Sequence, residues 1–425
     1  MSNQTIIETY QLAKAAYAKY GVDTDKVLDT LNNISISLHC WQADDVGGFE
    51  TKSSEMGGGI QVTGNYPGKA NSIEEMRADL EKVLSLLPGK HKLNLHAIYG
   101  EFNGEVVDRD QIEVKHFQGW IDWAKKNNVG IDFNASCFSH PYAEDGFTLS
   151  SKDPKIRNFW IEHVKRCREI SNEIGKQLGT PCIHNTWIPD GSKDTCVDRL
   201  GHRTLLKAAL DEIFEVEYDT NFMKDAVESK LFGIGSESMV VGSYDFYLGY
   251  AIKNNKLICL DNGHFHPTEQ VGDKISSVIQ YVDEVLLHMT RGVRWDSDHV
   301  VTVNDESLLI AQEVIRSGAL DKTHVGLDFF DASINRIGAY VTGCRASRKA
   351  FLFALLEPTE LIKAHEEKGE NFERMFLLEQ LKTLPWGAVW DYYCLQKETA
   401  LDSEVIGLVH DYEQAHLLQR GEVLV

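Results

Sequence analysis

The sequence predicts an α/β protein: a (β/α)8 TIM barrel of parallel strands, followed by a C-terminal helical extension. Three observations predict it. Eight short runs rich in β-branched and aromatic residues alternate with segments of helical period, the pattern of parallel strands joined by crossover helices. Imidazole, carboxylate and amide side chains recur within or just after those strands, at the end where a closed barrel carries its chemistry. From about Gly343 onward no strand signal survives, and only helical periodicity remains. The expected division is therefore a barrel with an N-terminal helix over residues 1–342, carrying the polar strand ends, and a helical extension over 343–425.

Taken in order, residues 1–20 read as an amphipathic helix and lack the basic start and apolar core of an export signal. Residues 34–41 alternate as a strand, followed by the polar Gln42, Asp44 and Asp45. A long Gly-rich passage, 46–69, then suits either a lid over a pocket or a plain surface loop. It is no phosphate-binding loop, because 64–70 has three residues between its glycines instead of four and Ala70 where Ser or Thr is needed. Helix 72–87 leads to strand 92–99, helix 111–127 to strand 130–138, and helix 153–178 to strand 182–188. Helix 198–216 precedes strand 225–234, a shorter helix 244–252 precedes 256–265, and 268–281 precedes 284–294. Helix 305–317 and strand 324–330 complete the set. No G-x-G-x-x-G opens the first unit, which disfavours an open doubly wound sheet. Segments 352–368, 372–384 and 403–418 form the extension, packed on the same subunit or on a neighbour.

A chain of 425 residues with 43% hydrophobic and 25% charged side chains has the balance of a soluble globular protein of one large or two ordinary domains. The formal net charge of -21 argues against nucleic acid or an anionic membrane as a partner, since phosphate binding needs a positive field. A neutral substrate and bound cations suit it better. No apolar run approaches a membrane span. The eight cysteines are scattered and never form C-x-x-C, so they read as small buried apolar residues in a reducing compartment, the cytoplasm.

The chemistry concentrates at Arg294-Trp295-Asp296-Ser297-Asp298-His299. Asp296 and Asp298 are two apart, so on an extended backbone both carboxylates face one way and repel unless a cation lies between them. Alone, such a pair is more often a solvated turn. Asp261-Asn262-Gly263-His264, closing an apolar strand-like run, shifts that balance, because a carboxylate and an imidazole together suit a divalent ion taking mixed N and O ligands. Further polar residues fall on the remaining strands: His39, His96, Asn134, Asn185, Lys230 and His288. Glu228, Asp261, Asp296, Asp298 and Asp328 would place five negative charges in one barrel mouth, untenable without compensation. Two divalent cations nearly neutralise them and leave coordination positions for substrate oxygens or water.

The ordered set SLHCWQADD, TGNYPGKA, NLHAIY, VESKLFGIG, LDNGHFHPTE, RWDSDHV and HVGLDFFDASINR, spread over essentially the whole chain, resembles the L-rhamnose isomerases, whose barrel is similar to that of D-xylose isomerase. The resemblance implies conversion of L-rhamnose to L-rhamnulose, with no organic cofactor, by a homotetramer. It implies a catalytic Mn2+ on His264, Asp296 and Asp298, and a second, structural divalent ion on Glu228, Asp261, His288 and Asp328. Asp261 stands three residues before His264, as the bridging carboxylate does in xylose isomerases, and so is a candidate to touch both ions. Lys230 is the candidate ammonium beside a carbonyl or alkoxide oxygen. His96 and Asp328 are the candidates for proton transfer during ring opening, and Trp187 for an apolar wall. Val46, Ile60 and Tyr99 are candidates for the pocket of the 6-deoxy sugar's methyl end, where one methyl contact is worth only about 1–3 kcal/mol of discrimination. Hydrogen passes from C2 to C1 either as hydride or as a proton through an enediol.

Three other readings compete. Asp296 and Asp298 with Arg291 and Arg294 would suit a nucleoside-diphosphate-dependent glycosyltransferase, which has no need of His264, Glu228 or His288. His264-Phe265-His266 resembles the H-x-H of metal-dependent hydrolases, but it follows the sixth strand instead of the first. A non-catalytic binder has no use for Lys230 beside the metal ligands.

Overall fold

The computed structural model describes residues 2–50, 60, 62–294 and 297–420. Eight strands form a closed parallel barrel: Ser35–His39 (β1), Lys90–His96 (β2), Gly130–Asn134 (β3), Cys182–Thr186 (β4), Met223–Glu228 (β5), Leu257–Asp261 (β6), Val285–Met289 (β7) and Thr323–Leu327 (β8). Each pairs with the next in chain order, and β1 closes on β8. The register sets polar residues beside one another at the C-terminal ends, with His96 opposite Asn134, Asn134 opposite Asn185, and Asp261 opposite His288. A polar layer thus caps the apolar barrel interior.

The helices around the barrel begin and end where local chemistry dictates. Ile73–Ser85 (α3 in a chain that opens with α1, Asn3–Ala18, and α2, Thr24–Asn33) starts at Ser72, whose side chain accepts from Glu75 N–H at 3.2 Å. Gln118–Asn127 (α4) ends at Asn128 in the left-handed region. Pro154–Leu178 (α5) starts on the Asp153 cap with proline in its first turn and stops at Gly179, φ +67°. Arg199–Ile213 (α6), Tyr244–Asn254 (α7), Val271–Val278 (α8), Asp305–Arg316 (α9) and Arg336–Leu355 (α10) complete the ring.

Three helices depart from the sequence expectation. The first, α2, lies in a stretch to which the sequence reading assigns no element, although Asp23 caps it and it buries Val27, Leu28 and Leu31. The second, α10, runs through the expected division at residues 342–343. It is buried nearly all round, Arg336, Arg345 and Arg348 included, so it shows no amphipathic stripe to read. The third, Trp386–Gln396, lies in the extension among Thr359–Glu367, Asn371–Leu381 and Asp402–Ala415, which occupy α11, α12 and α14; Trp386–Gln396 is α13. The strands also end earlier than expected: β5 stops at Glu228 and β6 at Asp261, which puts Lys230 and His264 in the loops above the barrel.

The extension packs on its own chain. Tyr392 of α13 stacks on Tyr10 of α1 with ring centroids 3.8 Å apart, and Arg420 pairs with the buried Asp79 of α3 at 2.7 Å. Among the described residues no helix is long and apolar enough to cross a membrane.

Candidate active site and metal centre

The strand ends converge. Glu228, Asp261, His288 and Asp328 each place a ligand atom within 4.8 Å of the other three, and Asp261, His264 and Asp298 form a second such set. Asp261 is common to both. His288 Nδ1 lies 3.4 Å from Glu228 Oε1 and 3.2 Å from Asp328 Oδ2, while His264 Nδ1 lies 3.2 Å from Glu228 Oε1. Asp296, expected with His264 and Asp298, lies outside the described residues. Asp298 has φ +37°, a left-handed backbone uncommon for a residue with a side chain.

The donor chemistry fits a divalent ion. Glu228 Oε1, Asp261 Oδ2 and His288 Nδ1 are buried and, among the described residues, have no hydrogen-bond partner in good geometry. A buried carboxylate oxygen left unbonded is costly, and a cation bound by all three would offset that cost. Proton affinities show the same strain. Burial pushes the Asp261 carboxyl well above its ordinary range, opposed by His264 and reinforced by Asp328 and Glu228. Burial likewise raises Asp328 against the pull of His288. For Glu228 burial acts in the same direction, but the His288 and His264 imidazoles prevail and hold its carboxyl far below the usual range. Burial would lower His288, yet Cys259, Glu228 and Asp328 raise it. A metal bound here would compete with protons for these groups.

These groups line one side of a cavity at the barrel mouth. Trp41, Ile60, Trp187 and Phe330 give it apolar walls, and His96, Asn134 and Asn185 join the metal-centre residues on the polar side. His96 stacks on Trp41 at 4.4 Å, and its Nδ1 lies 3.3 Å from Ser136 Oγ; burial lowers its pKa to about 3, so the imidazole is neutral. Asn185 Nδ2 donates to Glu228 Oε2, leaving Oε1 to face the two histidines. Lys230 is buried with its ammonium 5.3 Å from the centre of the Trp187 ring.

Val46 and Tyr99 do not line this cavity. Val46 is buried elsewhere, and Tyr99 is fully buried with its hydroxyl donating to Asp44 Oδ1 at 2.7 Å. Trp41 and Phe330 were missed in the sequence. The available signal was position: Trp41 comes two residues after β1, and Phe330 stands two beyond Asp328, so alternation places both beside the polar strand ends. His266, the second histidine of the H-x-H, is exposed, with its Nδ1 2.8 Å from Thr268 Oγ1.

A family model described as L-rhamnose isomerase (RhaA) matches residues 4–420. The chain belongs to the L-rhamnose isomerase family. An L-rhamnose isomerase of Bacteroides thetaiotaomicron is 54% identical over 410 residues, covering 96% of this chain and 97% of that one. One from Rhodopirellula baltica is 54% identical over 417 residues, with 98% and 97% covered. One from Escherichia coli (strain SMS-3-5 / SECEC) is 53% identical over 414 residues, with 97% and 99% covered. In this L-rhamnose isomerase family member, the segments VESKLFGIG, LDNGHFHPTE and HVGLDFF contain the C-terminal ends of β5, β6 and β8, where the two donor sets meet.

Proposed function

We propose that the protein interconverts L-rhamnose and L-rhamnulose, an aldose–ketose isomerisation, using a catalytic Mn2+ and a second, structural divalent ion. The observation that carries this reading is the pair of donor sets sharing Asp261 beside an aromatic-walled cavity. His264, Asp296 and Asp298 would hold the catalytic ion, and Glu228, Asp261, His288 and Asp328 the structural one. When bound, such ions supply Lewis acidity toward adjacent sugar oxygens and charge to balance the carboxylates.

The chain's own groups do the rest. Trp41, Trp187 and Phe330 cover the apolar faces of the sugar and exclude water, and Ile60 faces its methyl end. Lys230, steadied over Trp187, offers an ammonium to the substrate oxygen on which negative charge develops. His96, neutral and stacked on Trp41, takes and returns a hydroxyl proton during ring opening, with Asp328 as the second candidate. Asn185 keeps Glu228 oriented.

The test is conversion of L-rhamnose by purified protein before chelation, after it, and after Mn2+ is restored. We expect turnover to vanish and return; a metal-replete protein inert toward L-rhamnose would overturn the reading. Lys230→Met should lower kcat by about 100- to 1,000-fold, as removal of an oxyanion donor does elsewhere. Isomerisation in D2O separates the routes, since little deuterium at product C1 favours hydride transfer. An L-mannose comparison tests the methyl pocket, which equal efficiency would remove.

We also read the protein as a cytoplasmic homotetramer acting on a neutral sugar, with no nucleic acid or membrane partner. The eight cysteines, all unpaired, support a reducing compartment. Phe372, Met375 and Phe376 of α12, at 67%, 66% and 59% exposure, support an assembly. Sedimentation of the metal-loaded protein tests the tetramer.

A further inference from the structure

One buried nucleophile beside the metal centre has no part in the proposed reaction. Cys259 stands two residues before Asp261 on β6, so the two side chains leave the strand on the same side, the thiol nearer the barrel floor. Its sulfur lies within 4.8 Å of a ligand atom of Glu228 and of His288, and all three residues are buried. Two of the three groups carry unsatisfied atoms: among the described residues Glu228 Oε1 and His288 Nδ1 have no hydrogen-bond partner in good geometry. Strand register sets the arrangement, because Cys259 pairs directly with Glu228 across β5 and β6.

We propose that soft divalent ions, Cd2+ above all, bind this chain on Cys259, His288 and Glu228, one layer deeper in the barrel than the ion of the all-N,O set. Thiolate selects soft ions, whereas carboxylates and water suit Mn2+ and Mg2+. Ligand atoms around a tetrahedral ion sit roughly 3.5 Å apart, so binding would draw together three groups that already lie within 4.8 Å of one another. On binding, a sulfur–metal bond forms as the thiol proton leaves to solvent, with no change of oxidation state. The thiolate and the Glu228 carboxylate together balance the charge of the ion. Because Glu228 and His288 also belong to the hard set, the two occupancies exclude each other. That exclusion rests on the ligand assignment proposed above; the thiol set rests on geometry alone.

The experiment titrates metal-free protein with Cd2+ and follows the ultraviolet sulfur-to-cadmium charge-transfer absorption. Wild type should develop the band, saturating at one ion per chain. Cys259→Ser and Cys259→Ala should each lose it, the alanine serving if serine disturbs the apolar neighbours Ile183, Ala226 and Leu286. Preloading with Mn2+ should suppress the band. A band that persists in both variants, tight Cd2+ binding without a band in wild type, or a band indifferent to Mn2+ would each overturn the proposal. Circular dichroism and the thermal midpoint confirm that the variants are folded. Turnover of L-rhamnose by Mn2+-loaded wild type tests the sugar reading separately, so the two failures are distinguishable.

Discussion

Gly263, between Asp261 and His264 of the candidate donor set, is placed where a side chain does not fit. Its amide donates to Asp261 Oδ1 at 2.6 Å, which fixes one carboxylate oxygen. A methyl group there would lie 2.9 Å from Thr290 Cγ2 and 3.2 Å from both Asp261 Oδ1 and Asp298 Oδ1. Gly263→Ala would therefore press apart two members of one donor set while leaving the barrel intact. We expect metal affinity to fall by about 10- to 100-fold, the usual effect of disturbing groups that orient ligands. Competitive binding against a chromophoric chelator measures it, and wild-type affinity in the variant would show that the carboxylates yield freely. This scale also shows what was legible in the sequence. Carboxylates and imidazoles at strand ends stand out because burial there makes them expensive, so Glu228, Asp261 and His288 could be picked out before any fold was known. Tyr99 could not be placed, because β2 was read three residues too long. The chain leaves the strand at His96, and a 3-10 turn over Ala97–Tyr99 carries the tyrosine inward to Asp44.

Among the elements, α5 illustrates how closely the ring of helices approaches the barrel. Gly175 in its last turns packs against the segment leading into β5, where a methyl group would overlap the carbonyl of Phe222. Two effects of Gly175→Ala oppose each other. Alanine favours the helix by about 1 kcal/mol, whereas overpacking against fixed backbone costs about 1–3 kcal/mol. Overpacking should win, lowering the urea midpoint with the slope unchanged; a stabilised variant would mean that α5 slides outward at little cost. The same packing explains which elements could be read. Helices with one buried stripe, such as α3 and α9, were found by their period. The almost fully buried α10 presents apolar and small residues on every face, and its three buried arginines imitate a solvated side. In α13, Val389, Trp390, Tyr393 and Cys394 are buried in a segment rich in aromatics, so composition conceals the period there too.

Across the whole molecule, charge is handled differently at the two ends of the barrel. At the mouth, Glu228, Asp261 and Asp328 face imidazoles and one another. At the floor, Asp132 pairs with Lys92 at 2.8 Å, Asp225 with Arg168 at 2.8 Å, and Glu284 with Lys224 at 2.6 Å. Glu284, at the entry to β7, also binds His324 of β8, so one carboxylate links β5 to β8 across the floor. Hydrogen bonds from His324 and Lys224 outweigh burial and lower its pKa from 4.5 to about 2. A carboxylate depressed in the folded state adds stability that is complete above its unfolded pKa. As pH falls from 4.5 to about 2, the unfolded chain gains a proton that the folded chain resists, and that stability is lost. Glu284→Gln removes the contribution at every pH. The variant should therefore be less stable than wild type near neutrality, and the difference should shrink as the pH is taken down through that window. Urea unfolding of both metal-free proteins at a series of pH values measures the difference, and taking it cancels the titration of the mouth carboxylates they share. A difference that stays constant from pH 6 to the acid limit would show that the floor network joins the strands by packing alone, with Glu284 contributing no charge-dependent closure.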